Sequence, residues 1–223
     1  MATNLRLDWA THEAAAYACK NWHYSKCTPK SKQVRVGVWE DGRFIGVVMI
    51  GNSSGHSLFN FLGLNQFTGA ELTRIALKEH KTPVSRIVSI AVKMVRKENP
   101  KLKALVSFAD PNVGHAGGIY QAGNWKYFGL GSKQRQYYFR GKWRNDMKLM
   151  QFFKGRRGQM RQLKQKELLP KHKYVLFFCK DLENKMSSHF KDYPKRAVSI
   201  DNDAAPNQVA EGGVNPTTAL QKK

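Results

Sequence analysis

Two apolar segments joined by an Asp-Gly pair place the strongest constraint on the fold of this chain. The segments read QVRVGVWE and RFIGVVMIG, and Asp41-Gly42 lies between them. Such a pair between two runs of β-branched and apolar residues is typical of a tight hairpin, because the residues of the turn must adopt positive φ angles. The sequence therefore predicts an antiparallel strand pair early in the chain.

Helix and strand patterns alternate on both sides of this hairpin. LRLDW, ELTRIAL and LKALVSFA are predicted strands, and the last is a largely apolar run, as expected at the centre of a sheet. THEAAAYACKNW predicts a helix with Thr11 as a possible N-cap. Thr82 and Pro83 resemble an N-cap and the first helical position, and the apolar residues of 84–98 recur at helical spacing.

The second half of the chain continues this alternation. A short helix is predicted over 113–123, WKYFGL and RQYYFRG are predicted to form a final strand pair, and YVLFFCK is a further possible strand. The order of the core elements, β-α-β-β-β-α-β-α-β-β, indicates a mixed α/β fold with an antiparallel first half.

The positive charge of the chain is large and unevenly distributed. The net charge is +22, and residues 140–196 hold 17 Lys and Arg against 5 Asp and Glu. Such a surplus attracts a polyanion, and nucleic acid is the expected partner. A membrane surface is the rival polyanion, but KGRRGQMRQLKQKELLPKHK has no clean apolar face with which to lie on lipid.

We expect three regions: a folded domain with the candidate site over 1–140, a basic extension that binds nucleic acid over 141–196, and a disordered tail over 197–223. No apolar run approaches the ~18 residues of a membrane span, and the N-terminus shows no secretory signal. The three cysteines lack metal-site spacing and suit a reducing compartment. The expected protein is therefore cytoplasmic, with no membrane partner.

The segment SFADPNVGHAGGIYQAGNW, residues 107–125, places polar groups where a strand turns into a helix. Asp110 ends the strand, His115 follows the turn, and Tyr120 lies on the helix. Because ligands of open α/β sheets bind at the carboxyl ends of strands, these side chains are candidates for an active site. The residues alone leave two alternatives, a turn or cap role for Asp110 and core packing for Tyr120.

The element order, together with GGIYQAGNWKYFG, resembles the GNAT acyltransferase fold. In that fold a helix often ends in a Tyr, followed after a few residues by Gly and an aromatic residue; here Tyr120, Gly123 and Trp125 match. The resemblance implies a GNAT-like mixed central sheet flanked by helices, here with a basic C-terminal extension.

A second set of motifs resembles the Mom family of phage DNA-modification proteins. Its pieces are CKNWHYSKC, ELTRIAL, PVSRI, SFADP and GHAGGIYQAGNW, in consistent order through about half of the chain, and the basic segment follows them. The resemblance implies conversion of adenine in double-stranded DNA to N6-methylcarbamoyl adenine, which protects phage DNA from host restriction. It also implies iron bound by His23, Asp110 and Tyr120.

The proposed ligands are chemically reasonable for iron, because imidazole, carboxylate and phenolate supply nitrogen and oxygen donors. His23 could instead be an ordinary helix-end residue. His115 is open to three roles: a fourth ligand, a general base or a partner of a ligand. Tyr24, a further candidate catalytic residue, could with Trp22 and Trp125 stack on an extruded base, and core packing is the alternative for these aromatics.

The loop before the helix of 84–98 differs from the coenzyme A site of GNAT enzymes. Those enzymes usually cradle the pyrophosphate with a glycine-rich loop, whereas ALKEHKTPVSRI contains no glycine. Free amides at Val84, Ser85 and Arg86 could still bind an anion at the helix N-terminus, and the Arg74 and Arg86 side chains could add charge. Use of acetyl-CoA is therefore an open expectation.

The favoured hypothesis is an enzyme that modifies adenine in double-stranded DNA, with iron as its cofactor and an unidentified small-molecule donor. The alternative is an acetyl-CoA-dependent GNAT N-acetyltransferase that acts on an amine of a protein or small molecule. A third class is a DNA-binding protein without catalysis, built on a GNAT core.

Overall fold

The structure is a computed structural model and describes residues 3–52 and 58–194. The tail predicted over 197–223 lies outside the described residues. In chain order the strands and helices are β1 Leu5–Trp9, α1 His12–Trp22, β2 Gln33–Glu40, β3 Arg43–Gly51, β4 Gly69–Leu77, α2 Val84–Glu98, β5 Ala104–Ala109, α3 Gly118–Gln121, β6 Lys126–Leu130, β7 Gln134–Phe139, β8 Lys142–Asn145, α4 Asp146–Phe152, α5 Arg157–Arg161, β9 Gln165–Leu168, β10 His172–Phe177 and α6 Lys180–Lys185.

Two sheets organise these elements. Seven strands form the main sheet in the order β1-β2-β3-β4-β5-β10-β6, and three form a second sheet in the order β8-β7-β9. Neighbours in the main sheet are antiparallel, except for the parallel pair β4 and β5. The hairpin prediction is confirmed: Asp41 and Gly42 have φ angles of 51° and 76°, and Glu40 pairs with Arg43.

The predicted pairing of the last two core strands is wrong. β6 pairs with β10, whereas β7 pairs with β8 and β9 in the second sheet. β10 takes the place between β5 and β6 because it brings bulky apolar groups to the sheet centre, where Tyr174 and Val175 are fully buried. Residues 131–171 therefore leave the main sheet after β6 and return to it at β10. We call this segment the basic insertion.

The basic insertion has a small core of its own. Tyr137, Leu149 and Met160 are buried together there, and they join the second sheet to α4 and α5. A separate core gives the insertion a fixed shape, so that its charged residues are presented on an ordered surface.

The start of α2 differs from the prediction in one respect. Pro83, not Thr82, is the N-cap residue. Both the hydroxyl and the amide of Thr82 donate to Oε1 of Glu40, at 2.6 and 2.8 Å, so Thr82 anchors the helix start to the end of β2. The apolar face over 84–98 is buried as predicted, through Ile87, Val88, Ala91, Val92 and Val95. Within the part of the chain that the structure describes, no helix has the length and apolar character needed to cross a bilayer.

The main sheet opens between its two parallel strands. β4 and β5 pair only from Gly69–Ala104 to Glu71–Val106, although both strands continue beyond this point. At the start of the opening, Ser107 Oγ lies 2.9 Å from the carbonyl oxygen of Leu72 and bridges the two strands through a side chain. The strands then diverge and leave a cleft at their carboxyl ends.

Candidate active-site cavity

A cavity of about 920 Å³ fills the opening between β4 and β5. Its walls are the second half of β4, the start of α2, the end of β5, the segment 114–122 and the end of α1. The wall needs a glycine at position 117, because its φ is 89° and a Cβ there would lie 2.3 Å from the Tyr174 ring. The tight turn lets α3 lie directly against β10, where the Tyr174 hydroxyl donates to Ala116.

His23 enters the cavity from the end of α1. His23 is the C-cap residue of that helix, so the helix-end alternative is correct for its backbone. Its side chain is only 8% exposed. Burial lowers the pKa of His23 to about 4, and the charge of Arg74 acts in the same direction. The ring is therefore neutral at pH 7. Nδ1 accepts the amide N–H of Ser25 at 3.1 Å, which leaves the ring proton on Nε2.

Tyr24 and His115 stand beside His23 at the cavity wall. The rings of His23 and Tyr24 are 4.4 Å apart, and those of Tyr24 and His115 meet edge to face at 5.8 Å. Tyr24 is 48% exposed and His115 is exposed, so both rings are accessible to a ligand. The structure thus brings His115 beside His23 and Tyr24, which lie more than ninety positions earlier in the sequence.

Asp110 lies just outside the cavity lining. Its Oδ1 accepts the backbone and side-chain N–H groups of Asn112, at 3.0 and 2.8 Å. Its Oδ2 forms an ion pair of 3.2 Å with Lys171. Burial alone would raise the pKa of Asp110, but the Asn112 hydrogen bonds and the Lys171 charge outweigh burial and lower it. Asp110 is therefore ionised, and both of its oxygens have partners.

Tyr120 forms the floor of the cavity. Its ring is buried against Trp125 and Tyr174, and its hydroxyl lies 2.8 Å from Ser107 Oγ. Since Ser107 has a single proton and also contacts a carbonyl, which can only accept, we assign that proton to Leu72 and the Tyr120 proton to Ser107. Burial raises the pKa of Tyr120 to about 12, so the side chain is a neutral phenol.

These contacts decide whether the three expected ligands fit iron. A ligand His usually donates from its other ring nitrogen, whereas Nδ1 of His23 accepts a hydrogen bond. Asp110 is ion-paired with Lys171, and the Tyr120 hydroxyl is hydrogen-bonded to Ser107. Among the described residues no group of three or more His, Cys, Asp and Glu side chains could hold a metal ion. Because all three side chains are bonded to other protein groups, His23, Asp110 and Tyr120 do not fit iron in this arrangement.

The start of α2 forms the anion-binding side of the cavity. Val84 and Ser85 line it, and an α-helix leaves its first amides without partners inside the helix. The prediction of a free amide at Arg86 is wrong, because this amide donates to the Pro83 carbonyl at 3.0 Å. The exposed Arg86 side chain lies outside the lining. Arg74 does line the cavity, and it also holds the loop after α1 by donating to the Cys27 carbonyl.

The three aromatic residues expected near a base divide in two groups. Trp125 is 2% exposed and packs on Tyr120, so it belongs to the core. Trp22 lines the cavity but is held against Phe44. Of the three, Tyr24 is the accessible ring.

The basic insertion returns to the main sheet beside the cavity. The Asn112 side chain donates to the Leu169 carbonyl at 2.9 Å and accepts the Leu169 amide at 3.0 Å. Together with the pair of Asp110 and Lys171, these bonds tie the end of the insertion to the loop after β5. Sequence reasoning missed Asn112 and Lys171, because their partners lie far away in the chain. It also missed Ser107, whose signal was a polar residue within an apolar strand.

Comparison with known proteins agrees with this architecture. The family model of the Mom protein family matches residues 4–195. The methylcarbamoylase Mom of Escherichia phage Mu is 27% identical over 188 residues, which cover 78% of this chain and 76% of that protein. The aminoglycoside acetyltransferase AAC(6')-Ib, solved with coenzyme A and kanamycin, aligns with a TM-score of 0.50 at 8% identity, over 82% of this chain and 99% of that chain.

A GNAT family acetyltransferase from Elizabethkingia anophelis, solved with acetyl-CoA, gives a TM-score of 0.44 at 10% identity, over 78% of this chain and 99% of that one. The predicted GNAT-like fold, a mixed sheet flanked by helices, is confirmed. Because the family model covers most of the sequence, the chain belongs to the Mom protein family.

Proposed function

We propose that this protein is a phage DNA-modification enzyme that converts adenine in double-stranded DNA to N6-methylcarbamoyl adenine and so protects phage DNA from restriction. The observation that carries the proposal is the family match over residues 4–195, together with the relative from phage Mu whose name is methylcarbamoylase. The accessible cavity beside a strongly basic insertion supports it.

The basic insertion supplies the surface for DNA. Residues 131–171 contain thirteen Lys and Arg against two Asp and Glu. Three aromatic rings of the insertion lie under cations: Arg140 lies over the rings of Phe139 and Phe152, and Lys166 over that of Trp143. Cations of this density bind the phosphate backbone regardless of sequence and position the enzyme on the duplex.

Tyr24 and His23 are the residues that we assign to the adenine. The N6 amino group lies within a stacked pair, so the base has to leave the helix before it reacts. Tyr24 offers an accessible face on which an extruded base can stack. His23 is neutral at pH 7 and can donate a hydrogen bond from Nε2 or take part in proton transfer.

The small-molecule donor is assigned to the α2 side of the cavity. The amides of Val84 and Ser85 and the positive end of the helix dipole suit an anionic group. Coenzyme A chemistry fits this place, and it also underlies the second candidate function, acetyl transfer to an amine. The proposal contains no step through iron, because the three expected ligands are bonded to other partners.

Mass spectrometry of nucleosides tests the proposal. DNA from cells that express the protein should contain a deoxyadenosine enlarged by one carbamoylmethyl group. Tyr24→Ala should reduce this product about tenfold or more, in line with the energy of a base stacked on an aromatic ring. The matched control is Tyr17→Ala, which removes another exposed tyrosine from the same region. Unmodified DNA together with acetylated protein would select the acetyltransferase instead.

A further inference from the structure

Two exposed aliphatic side chains lie at the edge of the main sheet where the cavity opens. Leu169 is 60% exposed and Val113 is 42% exposed. Val113 belongs to the loop after β5, and Leu169 to the last residues of the basic insertion. Both residues sit at the carboxyl end of β5, since Ala109 pairs with His172, three residues after Leu169.

The two segments that carry these side chains are firmly joined. The Asn112 amide makes two hydrogen bonds with the backbone of Leu169, as a neighbouring strand would. Pro111 and Pro170 restrict the chain next to Asn112 and Leu169. Two exposed aliphatic groups are thus held on a rigid support and not on a free loop.

Val113 lies next to the cavity in sequence, and Leu169 lies in the basic insertion. Gly114 and His115, which directly follow Val113, line the cavity. Leu169 is part of the insertion with thirteen cations. The core of a protein–protein interface is depleted in charged residues, so a protein partner is a poor match for aliphatic groups in these surroundings. Duplex DNA suits both the cations and the aliphatic groups. Its phosphates can bind the cations, and apolar side chains can insert between its stacked base pairs.

We propose that Leu169, with Val113 beside it, is a wedge that enters the base stack of duplex DNA and holds open the gap left by the adenine in the cavity. The wedge rests on the proposed function, since it serves a base that has left the helix. Opening a base step costs a few kcal/mol, and burial of an aliphatic side chain between bases offsets part of that cost. Asn112 is a positioning residue that fixes Leu169 to the loop after β5.

Fluorescence of 2-aminopurine tests the wedge with the full-length protein. This adenine analogue brightens when it leaves the stack, and a pool of duplexes with every pair of neighbouring bases covers the unknown sequence context. Wild type should give a rise in fluorescence at saturation. Leu169→Ala should bind the same duplexes with the same salt dependence but reduce the unstacked fraction about tenfold. Val113→Ala should act in the same direction.

The matched control is Phe67→Ala, which removes a 76% exposed apolar residue from the opposite edge of the sheet, before β4. It should behave as wild type. A duplex that places 2-aminopurine opposite an abasic site should restore the signal of Leu169→Ala, because that base is already unpaired.

Equal fluorescence for Leu169→Ala and wild type on paired duplexes overturns the wedge, as does duplex binding by wild type without any rise. If DNA from cells that express Leu169→Ala contains as much modified deoxyadenosine as DNA from cells with wild type, the wedge is overturned and the proposed function stands. Absence of the modification with wild type would remove both.

Discussion

His23 combines burial with a cationic neighbourhood, and its acid–base behaviour follows from both. Its pKa lies near 4 in the folded chain, against the ordinary 6.5. Between these values the unfolded chain binds more protons than the folded chain, so the stability that neutral His23 contributes is present above pH 6.5 and is lost as the pH falls towards 4. This difference corresponds to about 3 kcal/mol.

Urea unfolding of wild type and His23→Gln at pH 7 and pH 4 measures this contribution. Wild type should lose about 3 kcal/mol more than the variant across this interval, because glutamine does not titrate. His189→Gln, at an exposed position, serves as the control and should follow wild type. Equal losses in wild type and His23→Gln would show that His23 is not buried as a neutral ring.

The sequence located the residues of the site but not the partners of their side chains. The segment 107–125 and the pair of His23 and Tyr24 pointed to residues that do lie around or beside one cavity. The partner of each group could not be inferred, because Lys171 reaches Asp110 only after the whole basic insertion has folded. These partners decide whether the three side chains are free to bind a metal ion or are already hydrogen-bonded within the protein.

At the scale of elements, predictions from local pattern succeeded and the prediction of distant pairing failed. The Asp41-Gly42 hairpin and the apolar face of α2 depend on neighbours in sequence, and both are confirmed. β6 and β7 are consecutive strands, yet β10 displaces β7 from the sheet. The competing strand lies beyond the insertion, and its advantage is buried apolar area, which a local pattern does not rank.

The start of α2 is the element whose role in donor binding can be tested directly. Ser85→Pro removes one amide from the first turn, where proline is tolerated, so the helix should persist. If a phosphate-bearing donor binds there, calorimetry with acetyl-CoA should show affinity about tenfold weaker than that of wild type, as for one lost hydrogen bond to a charged group.

Arg86→Ala is the matched control for this experiment, because Arg86 is adjacent but its side chain lies outside the cavity lining. It should bind acetyl-CoA as wild type does. Equal affinity for Ser85→Pro and wild type would place the coenzyme away from the helix start. If wild type fails to bind at millimolar concentration, coenzyme A is not the donor.

On the scale of the whole molecule, the insertion sets the charge distribution. A GNAT-like sheet provides the cleft, and residues 131–171 add cations beside the opening of that cleft. The sequence predicts these charges to form a separate C-terminal extension. In the structure the insertion instead lies between β6 and β10, which are neighbours in the main sheet. Folding ties the end of the insertion to the loop beside the cavity through Asn112 and Lys171.

Salt dependence of DNA binding tests this placement. Arg156, Arg157, Arg161 and Lys164 are exposed on the insertion, and their replacement by alanine should remove up to four phosphate contacts. Each lost contact should reduce the slope of log affinity against log salt by ~0.9, so the slope should fall by roughly 3 to 4. Far-ultraviolet circular dichroism should stay unchanged, because none of the four side chains belongs to the small core.

A second quadruple variant separates location from total charge. Lys93, Lys97, Lys101 and Lys103 are also exposed, but they lie along α2 and at the amino end of β5, away from the insertion. Their replacement by alanine removes the same charge and should lower affinity slightly through the long-range field while leaving the slope nearly unchanged. Identical salt slopes for the two variants would mean that DNA affinity depends on net charge alone. The insertion would then make no more phosphate contacts than the rest of the surface.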